Sequence, residues 1–301
     1  MVSWAPGVPQ VRDRLGAALF LRVAGPEGPR RRDRIHGTPG PRWFPPDSAI
    51  ARVHGDASMF VGGLRAVILQ TLHPAAMRAV SEHSGYRGDM WGRLARTSQF
   101  LAVTTFGAVD DAQAAVDLVR RIHVAVTGTM PDGSTYAASD PHLLAWVHAA
   151  EVDSFLRSHQ VYGSSPLDQA GRDAYVFEAG QVAARLGAMD PPRTEAELGA
   201  ALAAYRPELR GTPEAREAVF DVLWRPPLPL AARPAYAMLR TAAIAMMPDW
   251  SREPLGLPSR PLLDRTVARG MGHVSTATIR WALHTGTTNA HALRAQAATT
   301  P

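Results

Sequence analysis

In WGRLARTSQFLAVTTFG, residues 91–107, the apolar stripe of Phe100, Leu101 and Thr104 runs backwards at helical spacing onto Arg96, Thr97 and Arg93. Guanidinium groups rarely leave water unless an anion or a strongly polar group meets them. The segment therefore predicts a polar centre on its apolar side. Two further segments set a polar residue in mid-stripe. Over 110–127, Ala112, Ala115, Val116, Val119, Ile122, His123 and Val126 share one face, with Arg120 and Arg121 flanking towards solvent. Over 140–159, Leu144, His148, Val152 and Phe155 align, with Glu151 beside them.

Each of these features has a plain structural alternative. A single histidine on an apolar face can be a core residue bonded to a carbonyl. Arg93 and Arg96 can pair with acids on a neighbouring helix, and His148 can bond Glu151 one turn away. Their coincidence within one stretch favours a shared centre. A carboxylate-bridged di-iron bundle needs paired Glu-x-x-His motifs, whereas here the order is His148-x-x-Glu151 and occurs once. A zinc hydrolase needs His-Glu-x-x-His or a comparable cluster, and none is present. Nucleophile-elbow and glycine-rich nucleotide motifs are also missing, and Gly62-Gly63 reads as a site of close helix packing. A haem suits these residues better. It needs one neutral imidazole on an apolar helix and apolar walls, with arginines to meet propionates or bound oxygen.

Composition narrows the chemistry further. The 301 residues hold no cysteine, which excludes disulfides, thiolate nucleophiles, iron–sulfur clusters and Cys-ligated zinc. All 32 basic residues are arginine, so lysine Schiff bases and a Walker A lysine are excluded as well. A net charge of +5 is mild, and apart from GPRRRDR at 28–34 the arginines are spread along the chain, so no nucleic-acid partner is expected. Apolar residues make up 46%, as in a globular protein. The longest apolar stretch, 228–247, is broken by Arg233, Pro234 and Arg240 and reads as a buried helix, with no membrane span. With no secretory signal evident, the expectation is a cytoplasmic protein.

The elements that must position these side chains are helices. Residues 1–46, rich in Pro, Gly and Arg, read as a loosely structured arm, and the first firm helix starts at Asp47 or Ser48. Asp56, Asp89, Asp110 and Asp140 stand where N-caps belong, and Pro74 and Pro141 occupy first helical positions. Further helices are predicted over 166–187, 194–205, 213–224, 229–247 and 261–284. The only strand signal of note is STYAAS after the turn at 131–133. The fold class is all-α: one domain over 47–285, about ten helices around a pocket, and a flexible tail over 286–301.

Four segments in this order carry a resemblance: RVHGDASMFVGGLRAVILQTLHPAAMRAVSEHS, WGRLARTSQFLAVTTFG, VRRIHVAVTGT and DPHLLAWVHAAEVDSFL. Together they closely resemble the DUF2236 family of oxygenases. That family includes the fungal prenyl-chain-cleaving (MpaB-type) oxygenase of mycophenolic acid biosynthesis and, more distantly, the latex-clearing rubber oxygenases. The resemblance implies an all-helical protein holding haem b, with His123 as proximal iron ligand. The rubber oxygenases carry Arg-x-x-Lys-Thr on the distal side, and here Arg93 and Thr97 match while Arg96 replaces the lysine. Arginine stays protonated and has no lone pair for a metal, so the iron is expected to be five-coordinate or water-ligated. Arg93 and Thr97 would face the oxygen-binding side, Arg96 would join them or meet a propionate, and His148 would line the pocket or bind a propionate. The reading is of a haem-dependent oxygenase using dioxygen or peroxide on an apolar small molecule. The alternative is a haem-binding or ligand-carrying protein without turnover.

Overall fold

The computed structural model describes residues 8–85 and 89–298, with side chains within 10–85 and 89–283. The architecture is all-α, with one small two-stranded ribbon. In chain order the helices are α1 (Val8–Ala24), α2 (Gly28–Gly37), α3 (Ala49–His54), α4 (Met59–Gln70), α5 (Pro74–His83), α6 (Met90–Phe106) and α7 (Val109–Ala125). The strands β1 (Thr127–Thr129) and β2 (Thr135–Ala137) follow, paired antiparallel with Gly128 opposite Tyr136. Then come α8 (Pro141–Tyr162), α9 (Gln169–Leu186), α10 (Glu195–Tyr205), α11 (Pro213–Trp224), α12 (Arg233–Ala245), α13 (Asp249–Arg252), α14 (Pro261–Leu263) and α15 (Arg269–Ala298).

Local sequence explains most of the starts. The carboxylates of Asp89, Asp140 and Asp168 accept from the backbone N–H groups of Gly92, His142 and Gly171, and Thr194 and Thr212 cap α10 and α11 in the same way. Ser48, rather than Asp47, caps α3. Two expected caps do other work. Asp56 accepts from Ser58 N–H ahead of α4, and its carboxylate is held by the Arg280 guanidinium at 3.0 Å. α7 begins at Val109 without a side-chain cap, so Asp110 and Asp111 fall in its first turn, where acids favour the helix dipole.

The expectation of a loose arm over 1–46 needs correction. Residues 8–24 and 28–37 are helical, and α1 packs against α6 and α15. The Arg34 guanidinium pairs with Asp111 at 2.7 Å, and Val109 N–H donates to the Pro41 carbonyl, which pins the start of α7 to the arm. The expected tail is helical as far as Ala298, while residues 1–7 and 299–301 lie outside those described. About ten helices was also too few. The arm contributes two, and prolines cut the region after α12 into short pieces.

The most extensive helix pairing joins α4 to α8. Gly62 permits it, because a Cβ there would sit 2.9 Å from Phe155 Cδ1 and 3.1 Å from the Ser154 carbonyl oxygen. Arg65 crosses the same seam almost wholly buried, at 3% exposure. It donates to Asp153 Oδ2 at 2.6 Å, to Ser154 Oγ at 2.6 Å and to the Met246 carbonyl at 2.9 Å. One core lies around Leu69, Trp146 and Leu223, and a second around Ile50, Phe155, Tyr175 and Leu198. Burying two charges is costly, and removing one partner strands the other. Asp153→Ala is therefore expected to lower unfolding stability by about 3–5 kcal/mol in urea titrations followed by circular dichroism.

Candidate functional site

Four helices pack in a closed circuit: α3 against α6, α6 against α7, α7 against α9, and α9 against α3. α8 lies against α3 and α9 and closes one side. The residues singled out from sequence come from α6, α7 and α8. α6 and α7 are joined through Gly107 and Ala108 only, and Arg93 and His123 stand at matching depths, each about 20 Å along its helix from that connection.

His123 occupies the last turn of α7 and is half-buried. Its Nδ1 is enclosed by protein and has no hydrogen-bond partner. Burial lowers its pKa, so the ring is neutral and keeps a lone pair. The plain alternative, a core histidine bonded to a carbonyl, is not what this ring does. His148, on α8, is alike: Nε2 is buried without a partner, and burial lowers the pKa to about 4. No hydrogen bond links it to Glu151, whose carboxyl is pushed up to about 7 by burial. Both residues are half-buried. Phe100 and Leu101 of α6 and Ala115 and Val119 of α7 are also only half-buried.

α6 is more open than its stripe implied. Arg93 is half-buried, with Nη1 donating to Ser84 Oγ at 3.2 Å. Arg96 and Thr97 are exposed, and Arg96 reaches Asp89 at 3.5 Å across the surface. The buried positions of the helix are Ala95, Val103, Thr104 and Thr105. Ala95 turns towards the α1–α2 connection, 3.4 Å from where a Gly25 Cβ would lie, and this rotates Arg96 and Thr97 outwards. On α7, Ala112 and Val116 are fully buried as expected, but Ile122 is 51% exposed because it lies at the edge of the stripe.

One polar group escaped the sequence reading. His54 at the end of α3 has its Nδ1 2.8 Å from Thr105 Oγ1 on α6 and its Nε2 3.3 Å from the Tyr175 hydroxyl on α9. Burial lowers His54 to about 3 and raises Tyr175 well above its usual range, so both are neutral. The network ties three helices of the circuit together at one point. Its only trace in the sequence is the histidine of RVHGD. Among the described residues, no group of three His, Asp or Glu side chains is placed to hold a bare metal ion.

Comparison with known families gives one match. The family model described as ER-bound oxygenase mpaB/B′/rubber oxygenase, catalytic domain, covers residues 51–280. Neither the curated proteins nor the solved structures give a match.

The enclosed carboxyl has a measurable consequence. Glu151 is protonated in the folded chain up to about pH 7, whereas a carboxyl in the unfolded chain ionises near about 4.3. Its contribution to stability is complete below the unfolded value and is lost as the pH rises through the folded one. His148 and His54, with lowered values, act in the opposite sense at lower pH. Glu151→Gln removes only the carboxyl's part. Its stability relative to the parent is expected to rise by about 2–3 kcal/mol between pH 5 and pH 8, as read by denaturant titration at each pH. A flat difference would count against an enclosed Glu151.

Proposed function

The chain belongs to the family of mpaB-type and rubber oxygenases, through their catalytic domain, and on that premise we propose that it is a haem b-dependent oxygenase acting with dioxygen, or peroxide, on an apolar small molecule. The observation that carries this reading is His123, a neutral, half-buried imidazole with an enclosed ring nitrogen that bonds to nothing in the protein. A buried polar atom without a partner costs of the order of 1–3 kcal/mol, and holding a haem iron would be a reason to keep one. The residues present therefore fit the group. His123 would be the proximal ligand and Arg93 would line the oxygen-binding side, whereas Arg96 and Thr97, exposed on α6 and turned outwards, are not placed for the roles expected of them. His148 would line the pocket or receive a propionate. When bound, the haem supplies oxygen activation, which no amino-acid side chain provides.

The protein's own part is electrostatic and steric. Arg93 is fixed by Ser84 and stays protonated at any physiological pH, so its N–H groups are aimed before negative charge develops near them. Neutral His148 and protonated Glu151 add no charge to the pocket wall, so an apolar substrate is not repelled there. Half-buried Phe100, Leu101, Ala115 and Val119 give such a substrate apolar surface to lie on. Among the described residues, no helix is long and apolar enough to cross a membrane. A cytoplasmic setting belongs to the same proposal.

Protein purified after haem supplementation is expected to show a Soret band that His123→Ala abolishes. An unchanged spectrum in that variant would reject the assignment. Arg93→Ala is expected to keep the band and lower oxygen uptake with lipophilic substrates by about 10²–10³-fold. Unaltered uptake would remove Arg93 from the oxygen-binding side.

A further inference from the structure

We propose that the cleft between α8, α10, α12 and the turn leading into α15 binds an amphipathic organic anion, with a phosphate or carboxylate head on an apolar body. The cleft has a volume of about 630 Å³, within the range of about 300–1,000 Å³ typical of small-molecule sites. Leu202, Met246 and Trp250 form apolar parts of its wall.

The lining carries unbalanced positive charge. Asp153 is committed to Arg65 and Arg157, and Asp264 to Arg252 at 2.5 Å. Asp249 stands 94% exposed at the edge. Arg206, Arg265 and Arg269 line the same cleft, and among the described residues none of them has a carboxylate partner. Arg206 lies over the Trp250 ring at 4.9 Å, a contact that fixes the plane of the guanidinium and leaves its N–H edge free. Arg265 and Arg269 are one turn apart where the chain passes through a π-helical turn, Asp264–Ala268, into α15. Such turns recur at functional sites. Paired guanidinium forks suit the two or three oxygens of a carboxylate or phosphate.

Tyr162 supplies a separate observation. It is 3% exposed and lines the cleft, yet its hydroxyl makes no hydrogen bond to the protein. Burial raises that hydroxyl to about 12, so it remains a neutral donor. The residue is buried, its hydroxyl has no protein acceptor, and of the three exposed arginines Arg269 is the one whose charge acts on it, which leaves a donor for a bound oxyanion.

The cleft uses the other side of α8 from the candidate haem site. Arg157 stands about two and a half turns beyond His148, on the opposite face of the helix. The two proposals therefore fail independently.

Isothermal titration calorimetry on the full chain with octyl phosphate, octanoate, octanol and inorganic phosphate tests the inference. An octyl anion is expected to bind more tightly than octanol and more tightly than inorganic phosphate, and the order of octyl phosphate and octanoate identifies the preferred head group. The double variant Arg265→Gln/Arg269→Gln is expected to weaken the preferred anion by about tenfold or more. Tyr162→Phe should weaken it by a few-fold, with circular dichroism unchanged in both variants. Equal binding of octanol, or an affinity untouched by the double substitution, would overturn the proposal. Inorganic phosphate binding as tightly as octyl phosphate would overturn its amphipathic character.

Discussion

The buried ion pair between Arg65 and Asp153 sets the position of α8, and α8 is the element on which both candidate sites depend. A guanidinium at 3% exposure is tolerable only because each nitrogen has an acceptor: a carboxylate and a hydroxyl from neighbouring residues of α8 and a backbone carbonyl from the end of α12. The pair fixes the rotation and depth of α8 against α4, and Gly62 lets the two backbones approach closely enough for the pair to form. With that rotation fixed, His148 and Glu151 are turned inwards, while Asp153 and Arg157 face the cleft on the far side.

Burial gives the interior of the helical circuit a consistent character. His54, His123 and His148 are all lowered below the usual imidazole range, and Glu151 is raised towards neutrality. Desolvation drives the shift in each, so the protein meets the cost of enclosing these groups by removing their charge rather than pairing it. His54 recovers its hydrogen bonds from Thr105 and Tyr175. The enclosed nitrogens of His123 and His148 do not, a state that His73 and His159 share, so His123 is singled out by standing on a helix of the circuit as well as by lacking a partner. Across α8 the balance reverses, because the arginines of the cleft outnumber the carboxylates left to pair with them.

Much of this was legible in the chain. Asp89, Asp140 and Pro141 located the starts of α6 and α8, because such signals act on a single helix turn, and helical patterning placed α9, α10 and α11 to within a few residues. The stripe on α7 correctly put Ala112 and Val116 in the core. The arm was misread for the opposite reason. A segment dense in Pro, Gly and Arg has little local helix signal, and α1 and α2 are held by α6, α15 and Asp111, none of which is local. The outward turn of Arg96 and Thr97 has the same origin, since Ala95 under the α1–α2 connection fixes the rotation of α6.

Residue type and spacing by themselves determined the helical class, the family resemblance and the chemistry ruled out by having neither cysteine nor lysine. They also marked His123, His148 and the arginines of α6 as polar groups on apolar faces, because a 3.6-residue repeat is a property of the chain alone. Tertiary packing decided which of these groups lost its partners and its charge. It also brought His54, Thr105 and Tyr175 together from three distant segments and gathered unpaired arginines around a second cleft. Burial and pairing depend on what a neighbouring helix brings to the same place, and a single helix does not encode its neighbour.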